Sequence, residues 1–378
     1  MSEEPSGSAA PLRVVLAGGG TAGHVEPALS VADALRRRDP ATEVTVIGTA
    51  RGIETRLVPA RGYPLELVPA VPVPRRPSAD LVSLPGRVRA ATRAAERVLE
   101  RTHADVLAGF GGYAAAPAYL AARRRHVPYV VHEANARPGL ANRLGARWTP
   151  YVGVAVAGTR LAHATYTGMP LRTAVSTLDR AASRAQAARS FGLDPELPTL
   201  LAFGGSQGAR RINAAVEGAS DALLAAGAQV LHVVGPGNVD DAREGGVATR
   251  TEQDHYVRLG YCDRMELAYA AADLAVCRAG MTTCAELAAV GLPAAYVPLP
   301  IGNGEQRLNA EPVVDAGGGV LVDDAGCTAE WVRSTVLPLL LDGERLAAMG
   351  RAAATLGVRD ADERLADMVL RAAGRLAS

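Results

Sequence analysis

Short apolar runs alternate with amphipathic stretches through the first half of the chain. The runs that predict strands cover residues 12–17, 43–47, 105–108, 129–132 and 152–156, and the stretches with helical spacing cover 27–38 and 114–125. These strands are continuously apolar, which is typical of strands buried on both faces of a parallel sheet. The alternation therefore predicts a doubly wound α/β domain.

The same alternation begins again near Pro198. The second series of predicted strands covers residues 199–203, 229–234, 274–277 and 294–298, and 281–289 is predicted to be helical. Each half of the chain starts with a strand, a glycine-rich turn and a helix. We therefore expect two Rossmann-like domains joined near residues 168–172, with a cleft between them and both glycine loops at the carboxyl ends of their strands. Residues 360–378 predict an amphipathic helix that packs back on the first domain.

Composition narrows the class of protein. The chain has 378 residues, enough for two domains. Its net charge of +1 and its lack of a long basic stripe with interleaved aromatic residues give no support to nucleic acid as a partner, and we expect none. Its four cysteines lack C-x-x-C spacing, which predicts buried, reduced thiols as in a cytoplasmic protein. Residues 1–11 are small, polar and acidic, so we expect a disordered tail rather than a signal peptide. No apolar run reaches the ~18 residues of a membrane span.

The first glycine loop, residues 18–23, fits the dinucleotide fingerprint G-x-G-x-x-G. A nicotinamide site also needs an acidic residue at the end of the second strand, and residues 46–49 read Val-Ile-Gly-Thr, which argues against that site. His24 follows the loop in the first turn of a predicted helix, where the helix dipole favours a neutral imidazole. A neutral histidine can act as a general base. A capping or packing role is the alternative.

The second glycine loop, residues 204–208, reads Gly-Gly-Ser-Gln-Gly before a predicted helix. Backbone donors, a hydroxyl and an amide at a helix N-terminus suit a diphosphate without a metal, although a plain turn is the alternative. Further along, Glu286 lies on the early turns of a helix that follows another glycine turn. It is placed to accept the hydroxyls of a ribose, or only to interact with the helix dipole. The polar loop 298–309 is a candidate for contacting sugar hydroxyls, or only a turn.

Several motifs together resemble the MurG family of peptidoglycan glycosyltransferases, most closely its actinobacterial members. They are GGGTAGHVEPALS at 18–30, FGGYAAAP at 110–117, HEANARPGLANR at 132–143, GMPLR at 168–172, GGSQGARRIN at 204–213 and the segment 277–310. The resemblance covers almost the whole chain from residue 12. It implies the GT-B fold, an α/β architecture of two Rossmann-like doubly wound domains facing across a cleft. The implied divisions are a tail at 1–11, an acceptor- and membrane-binding domain at 12–171 completed by a helix at 357–378, and a UDP-GlcNAc-binding domain at 172–356.

The resemblance also implies a reaction. The family transfers N-acetylglucosamine from UDP-N-acetylglucosamine (UDP-GlcNAc) to the 4-hydroxyl of the muramoyl sugar of lipid I, with inversion, and gives lipid II. No cofactor and no active-site metal are implied. Phe203, Glu305 and residues 281–284 depart from the family pattern beside the donor site. They leave open a paralogue that transfers a UDP-sugar to a natural-product or other small-molecule acceptor. A non-catalytic module that binds a UDP-sugar or lipid is a third reading.

Carried over by motif, the resemblance assigns roles to single residues. His24 would be the base for the acceptor hydroxyl, and Glu133 would share or replace that role. The implied acceptor-binding residues are Gly19, Gly20, His24, Glu133 and Asn135. The implied donor-binding residues are Thr21, Gly23, Asn135, Arg172, Ser206, Gln207, Ala279, Gly280, Glu286, Gln306 and Asn309. Of the donor set, Arg172 and Ser206 would contact the diphosphate, Gln306 and Asn309 would contact the sugar, and the uracil contact would fall within 261–265.

Because lipid I is anchored in the membrane, the resemblance implies a peripheral enzyme at the cytoplasmic face of the plasma membrane. Residues 71–77 and 81–89 mix apolar and basic side chains, which suits an anionic inner-membrane surface. A proline-rich surface loop before a basic helix start is the alternative. The implied partners are UDP-GlcNAc, lipid I, the membrane surface and other cell-wall synthesis enzymes.

Overall fold

The computed structural model describes residues 10–72, 80–205, 208–238, 249–250, 255–301 and 304–377. The chain folds into two compact units. Unit 1 comprises Met1–Pro170 and Asp360–Ser378, and unit 2 comprises Leu171–Arg359. Unit 1 is therefore built from two separate pieces of the chain, with all of unit 2 between them in sequence.

Unit 1 is a parallel sheet with helices on both faces. Its strands are β1 Arg13–Ala17, β2 Glu43–Gly48, β3 Leu65–Leu67, β4 Val106–Gly109, β5 Tyr129–Glu133, β6 Val152–Val154 and β7 Ala164–Tyr166. Its helices are α1 Ala22–Arg38, α2 Glu54–Ala60, α3 Asp80–Arg101, α4 Ala115–Arg124, α5 Leu140–Gly145 and, from the end of the chain, α16 Ala361–Ala372. The strand order β3-β2-β1-β4-β5-β6-β7 is that of a Rossmann sheet, whose order reverses between β1 and β4.

The central strand of unit 1 shows why its sequence is continuously apolar. Val14 and Leu16 of β1 belong to the core on the α1 and α16 face, and Val15 and Ala17 belong to the core on the α3 and α4 face. A strand buried on both faces has no position exposed to water, which favours apolar residues along its whole length. The predicted doubly wound α/β architecture is confirmed in this unit.

Unit 2 repeats the architecture with its own glycine turns. Its strands are β8 Thr199–Phe203, β9 Gln229–Val233, β10 Thr249–Arg250, β11 Tyr256–Leu259, β12 Leu274–Cys277, β13 Ala294–Tyr296 and β14 Gly319–Leu321. Its helices are α6 Thr173–Ser176, α7 Arg180–Ser190, α8 Arg210–Glu217, α9 Ser220–Ala225, α10 Met265–Ala271, α11 Met281–Val290, α12 Glu305–Asp315, α13 Ala329–Trp331, α14 Leu337–Leu341 and α15 Gly343–Ala354. The order is β10-β11-β9-β8-β12-β13-β14, parallel except for β10, and reverses between β8 and β12.

Some predicted boundaries were wrong by a few residues. Helix α1 begins at Ala22 rather than at residue 27, with Pro27 inside it. Pro27 lies in the second turn of α1, where it has no N–H to donate to the carbonyl of Gly23. The strand predicted over 294–298 ends at Tyr296, shortly before Pro298. The strand predicted over 152–156 ends at Val154.

The C-terminal helix returns to unit 1 as predicted. Leu365 and Val369 of α16 are fully buried in the core that α1 also lines. At the edge of this contact Arg37 pairs with Asp362 at 2.6 Å, and Arg38 pairs with Glu363 at 2.6 Å. Apolar burial and ion pairs therefore fasten the end of the chain to its first helix.

The four cysteines are all free and buried, as predicted. Burial raises the pKa of the Cys262 thiol to about 11, so this thiol stays protonated near neutral pH. Within the described parts of the chain, no helix has the length and apolar character that crossing a membrane requires. Residues 1–9 of the predicted tail and residues 73–79 of the predicted membrane-contacting stretch lie outside the described residues.

Candidate active site

In unit 1 the predicted residues gather at the carboxyl ends of β1, β4 and β5, beside the point where the strand order reverses. The loops after β1 and β4 pack backbone against backbone, because a Cβ atom at Gly112 would lie 2.2 Å from the carbonyl oxygen of Gly19. Only glycine permits this approach. Two chain segments distant in sequence thus form one surface, on which Gly19, Gly20 and Thr21 lie.

His24 occupies the first turn of α1, as predicted. Its Nδ1 lies 3.1 Å from the hydroxyl oxygen of Thr21, the N-cap residue. The other edge of the ring faces Gly111, where a Cβ atom would lie 3.2 Å from Nε2 and where φ is +95°. The half-buried imidazole is thus placed by Thr21 on one side and by a glycine backbone on the other. Gly23 precedes it in the same turn.

A carboxylate that we did not predict lies under the first glycine loop. Glu54, the first residue of α2, is 0% exposed. Its Oε2 accepts a hydrogen bond from the Gly20 N–H at 2.9 Å, and its Oε1 accepts from the Thr49 N–H at 2.8 Å. The acidic residue that the fingerprint lacks at the end of β2 is therefore found a few residues later, bound to the loop itself. No motif near Glu54 in the sequence predicts this contact, because its partner Gly20 lies 34 residues earlier.

Glu133, at the end of β5, is almost completely buried and is held by the loop that follows it. Oε1 accepts from the Asn135 N–H at 2.9 Å. Oε2 accepts from the Gly139 N–H at 2.9 Å and from Asn142 Nδ2 at 3.0 Å. Both carboxylate oxygens therefore accept hydrogen bonds from the loop 134–139, and these bonds also position Asn135.

His132 is a further histidine that we did not predict, and it lies close enough to interact electrostatically with His24. Its Nε2 donates to the Gly168 carbonyl at 3.2 Å, which requires the Nε2–H tautomer, and its buried Nδ1 has no partner among the described residues. Burial lowers the pKa of His132 from 6.5 to about 4. This imidazole is therefore neutral near neutral pH.

Of the predicted donor residues, Thr21, Gly23 and Asn135 lie in unit 1, whereas Glu286 lies on α11 of unit 2. Its carboxylate lies 3.6 Å from Arg172 and accepts a hydrogen bond from the Tyr269 hydroxyl at 2.7 Å. Burial raises the pKa of Tyr269 well above its usual value, so the phenol remains a donor. Ala279 and Gly280 form the turn that starts α11, with Gly280 as its N-cap. Arg172 and Glu286 are thus brought together across more than a hundred residues of sequence.

Gln306 and Asn309 lie on α12, and both contact the backbone of neighbouring turns. Gln306 Oε1 accepts from the Leu299 N–H at 2.9 Å, and Asn309 Nδ2 lies 3.4 Å from the Ala279 carbonyl. The Asn309 Oδ1 is a buried acceptor without a donor in the described structure.

Beside this region a cavity of about 1060 Å³ opens against the second glycine loop. Its lining includes Gly204, Gly208, Gln306 and Arg278. The Arg278 guanidinium, which we did not predict, donates to the Val297 carbonyl at 3.1 Å and pairs with Asp324 at 2.6 Å. Its signal in the sequence was its position between strand β12 and the predicted glycine turn.

Some predicted residues are not placed by the structure. Ser206 and Gln207 of the second glycine loop and residues 302–303 of the polar loop lie outside the described residues. Within the described ranges, no group of three or more His, Cys, Asp or Glu side chains could hold a metal ion. The expected independence from metals stays a prediction, as does the uracil contact within 261–265.

Comparison with known proteins gives two family matches. The glycosyltransferase family 28 N-terminal domain matches residues 14–154, and the family 28 C-terminal domain matches residues 199–365. Together they span most of the chain, with one match in each half.

Two curated relatives and a solved structure are similar over nearly the full length. The UDP-N-acetylglucosamine–N-acetylmuramyl-(pentapeptide) pyrophosphoryl-undecaprenol N-acetylglucosamine transferase of Acidothermus cellulolyticus is 62% identical, covering 96% of this chain and 98% of its own. The protein of the same name from Streptomyces coelicolor is 59% identical, with 96% and 98% covered. The crystal structure of Acinetobacter baumannii MurG has a TM-score of 0.75 at 28% identity, covering 96% of this chain and 100% of that one.

Proposed function

The chain belongs to glycosyltransferase family 28, and we propose that it transfers N-acetylglucosamine from UDP-GlcNAc to the 4-hydroxyl of the muramoyl sugar of lipid I, giving lipid II. Its two Rossmann-like units are those of the GT-B fold class, as the sequence predicted. The observation that carries the proposal is the similarity, over 96% of the chain, to transferases whose name states this reaction. The same similarity disfavours a paralogue with a soluble acceptor.

His24 is the base that the geometry of unit 1 supports. When Nδ1–H donates to the Thr21 hydroxyl, Nε2 carries the lone pair that can accept a proton from the acceptor hydroxyl. The positive end of the α1 dipole favours the neutral imidazole before the reaction. The hydroxyl oxygen then attacks the anomeric carbon as the bond to UDP breaks, which inverts that centre.

Glu133 is less suited to this role. Four hydrogen bonds from Asn135, Gly139 and Asn142 occupy its two oxygens, and the side chain is 2% exposed. A base must reach the hydroxyl whose proton it accepts. We infer that Glu133 shapes the loop after β5, which presents Asn135 to the acceptor.

Unit 2 supplies the donor contacts in this proposal. Glu286 would accept the two hydroxyls of the ribose, and Arg172 would interact with the diphosphate once the sugar nucleotide lies beside this pair. The start of α11 at Gly280 adds backbone donors and a positive dipole end, which stabilise a departing diphosphate. Asn309 Oδ1 offers an acceptor for a hydroxyl of the transferred sugar. These groups stabilise the leaving UDP without a metal.

We place the enzyme at the cytoplasmic face of the plasma membrane, bound peripherally. Lipid I is held in the membrane by its undecaprenyl chain, so its sugar must be reached from the surface. The described start of α3 supports this location, because Arg87 and Arg89 follow Leu84 in its first turns. Basic and apolar side chains together favour anionic headgroups. Other cell-wall synthesis enzymes are the further partners that we propose.

The test is a transfer assay with purified protein, UDP-GlcNAc and a lipid I analogue. We expect release of UDP and formation of a lipid II analogue, with UDP-GlcNAc preferred over other UDP-sugars. His24→Ala should lower kcat by about 10²- to 10⁴-fold, the usual contribution of a general base. Turnover on a soluble acceptor with indifference to lipid I, or wild-type activity no higher than that of His24→Ala, would refute the proposal.

A further inference from the structure

We propose that Glu54 is a positioning residue of the acceptor site, whose buried carboxylate fixes the first glycine loop and with it His24. The inference rests on the proposed function, because the positioned group is the proposed base. Glu54 does not touch either substrate. It acts on the reaction only through the loop.

The hydrogen bonds of Glu54 join three chain segments. Oε2 accepts from the Gly20 N–H at 2.9 Å, and Oε1 accepts from the Thr49 N–H at 2.8 Å and the Thr49 hydroxyl at 2.9 Å. Glu54 is 0% exposed, so its carboxylate accepts these bonds out of contact with bulk water. Charge-assisted bonds of this kind are about twice as strong as neutral ones. The end of β2, the start of α2 and the loop after β1 are thus tied at one carboxylate.

Three glycines leave the space that this carboxylate fills. A Cβ atom would lie 2.4 Å from Oε1 at Gly19, 2.5 Å from Cγ at Gly48 and 1.8 Å from Oε2 at Gly52. None of these three glycines has positive φ, so backbone conformation does not explain them. Gly19 therefore accommodates an internal carboxylate in the loop where the dinucleotide fingerprint would accommodate a phosphate.

The path from Glu54 to His24 is short. Gly20, held by Oε2, is followed by Thr21, whose hydroxyl contacts His24 Nδ1 and whose carbonyl accepts from the His24 N–H at 3.1 Å. A displacement of Gly20 therefore moves the N-cap of α1 and the group that orients the imidazole. A misplacement of about 1 Å can cost about 10²-fold in rate.

Glu54 forms no ion pair in the described structure, so its carboxylate acts on the first glycine loop and on Thr49. In the described structure no Arg, Lys or His side chain pairs with Glu54, so its polar partners are the loop amide and Thr49. In Glu54→Gln an NH₂ group replaces one carboxylate oxygen. This group then faces either the Gly20 N–H or the Thr49 N–H, so that two hydrogen-bond donors oppose each other. The structure can relieve this conflict only by moving Gly20 or Thr49.

The first experiment compares Glu54→Gln with Asp362→Asn, which also alters a buried carboxylate of unit 1 but lies on α16, in contact with Arg37. Both are assayed well below their unfolding midpoints. We expect Glu54→Gln to lower kcat at least tenfold with the KM for UDP-GlcNAc unchanged within twofold. Asp362→Asn should keep kcat within threefold of the wild type, even if its unfolding midpoint falls further than that of Glu54→Gln. Equal losses of kcat in the two variants would overturn the proposal.

A second variant displaces the carboxylate without removing it. Gly52→Ala places a methyl group against Oε2, and Gly343→Ala, where a Cβ atom meets no neighbour within 4 Å, is the matched control. We expect Gly52→Ala to lower kcat as Glu54→Gln does, and Gly343→Ala to leave it unchanged. The double variant should be non-additive, since both changes act on the same carboxylate. Additive losses contradict the proposal.

Hydrogen exchange tests the tie to the loop without any turnover. In Glu54→Gln the peptide covering residues 18–25 should exchange faster, while peptides from unit 2 keep the wild-type rate. An unchanged rate in this peptide refutes the role of Glu54 whether or not transfer is observed. If the wild-type enzyme is inactive but this peptide exchanges faster in Glu54→Gln, the proposed function is refuted and the role of Glu54 in holding the loop is not. The two proposals can therefore fail separately.

Discussion

At the scale of single residues, the three carboxylates of the two sites differ in what satisfies them. Glu54 accepts mainly from backbone amides, and Glu133 accepts from two backbone amides and from the side-chain amides of Asn135 and Asn142. Glu286 instead contacts Arg172 and the Tyr269 hydroxyl, both of which are side chains. A side-chain partner can move away from a carboxylate and leave it to accept from a ligand hydroxyl. A backbone amide in a folded loop moves less easily. Glu286 is therefore the carboxylate of the three best suited to bind substrate.

The Thr21 hydroxyl should set the tautomer of His24. Thr21→Val removes the group at 3.1 Å from Nδ1 and should lower kcat about 10-fold or more, because Nδ1–H then loses its acceptor. Steady-state kinetics with varied UDP-GlcNAc provides the measurement. Thr21→Ser, which keeps the hydroxyl, is the control and should retain kcat within about threefold. A raised KM for UDP-GlcNAc at constant kcat would show instead that Thr21 contacts the donor substrate and does not orient His24.

The pH dependence of kcat/KM separates His24 from Glu133 as the base. Rates fall toward acid as the base becomes protonated. Glu133→Gln should keep the acid limb of the wild-type profile, although it should lose about 1–3 kcal/mol of stability through donor conflict in the loop after β5. His24→Gln should lose the limb together with most of the activity. Loss of the limb in Glu133→Gln would assign the base to Glu133.

Residues of the site could be predicted from sequence where their signal is local. His24 follows a glycine loop and begins a helix, and both features lie within seven consecutive residues. Glu54 and His132 have no such signal, because their partners Gly20 and Gly168 are 34 and 36 residues away. Only the fold brings these pairs together. The acidic residue that contacts the first glycine loop is the first residue of α2 and not a residue at the end of β2, where the fingerprint would have it.

At the scale of elements, the buried strands were the most predictable part of the fold. β8 and β12 have the predicted bounds, since a continuous apolar run between polar turns has few other readings. The edge strands β3 and β7 were missed because each is three residues long and neither contains a buried residue. Helix α2 was missed for a related reason, since its seven residues give too short a period to recognise.

The contact between α16 and α1 should be worth several kcal/mol. Leu365→Ala removes a side chain that is 0% exposed from the shared core, and losses of about 2–5 kcal/mol are usual for such changes. Urea unfolding followed by circular dichroism measures the loss. Leu376→Ala, at a residue 40% exposed beyond the same helix, should change stability by less than about 0.5 kcal/mol. Equal effects of the two changes would mean that α16 contributes little to unit 1.

At the scale of the whole molecule, each unit buries one neutral histidine in its sheet. Burial lowers the pKa of His132 in unit 1 to about 4 and the pKa of His232 in unit 2 to about 3. His232 Nδ1 lies 2.8 Å from the Tyr256 hydroxyl and Nε2 lies 3.1 Å from Asn213 Oδ1, so the neutral ring satisfies both neighbours. Protonation of either ring opposes the native packing.

Acid should therefore destabilise the protein before its carboxylates are titrated. Unfolded histidines bind a proton near pH 6.5, while folded His132 does not until about pH 4, so stability is complete above pH 6.5 and falls below it. The loss from His132 alone approaches about 3 kcal/mol at pH 4. His132→Gln, which can still donate to the Gly168 carbonyl, should show a shallower decline in urea midpoint between pH 6.5 and pH 4. An identical decline would contradict this assignment.

The two-piece construction of unit 1 has a consequence for synthesis on the ribosome. Residues 171–359 emerge as an uninterrupted segment that contains every strand of unit 2, whereas unit 1 lacks α16 until Ala361–Ala372 leave the exit tunnel. The apolar surface that Leu365 and Val369 will cover stays open to water during that interval. The nascent chain therefore passes through a stage in which its later half is complete and its earlier half is an exposed target for chaperones.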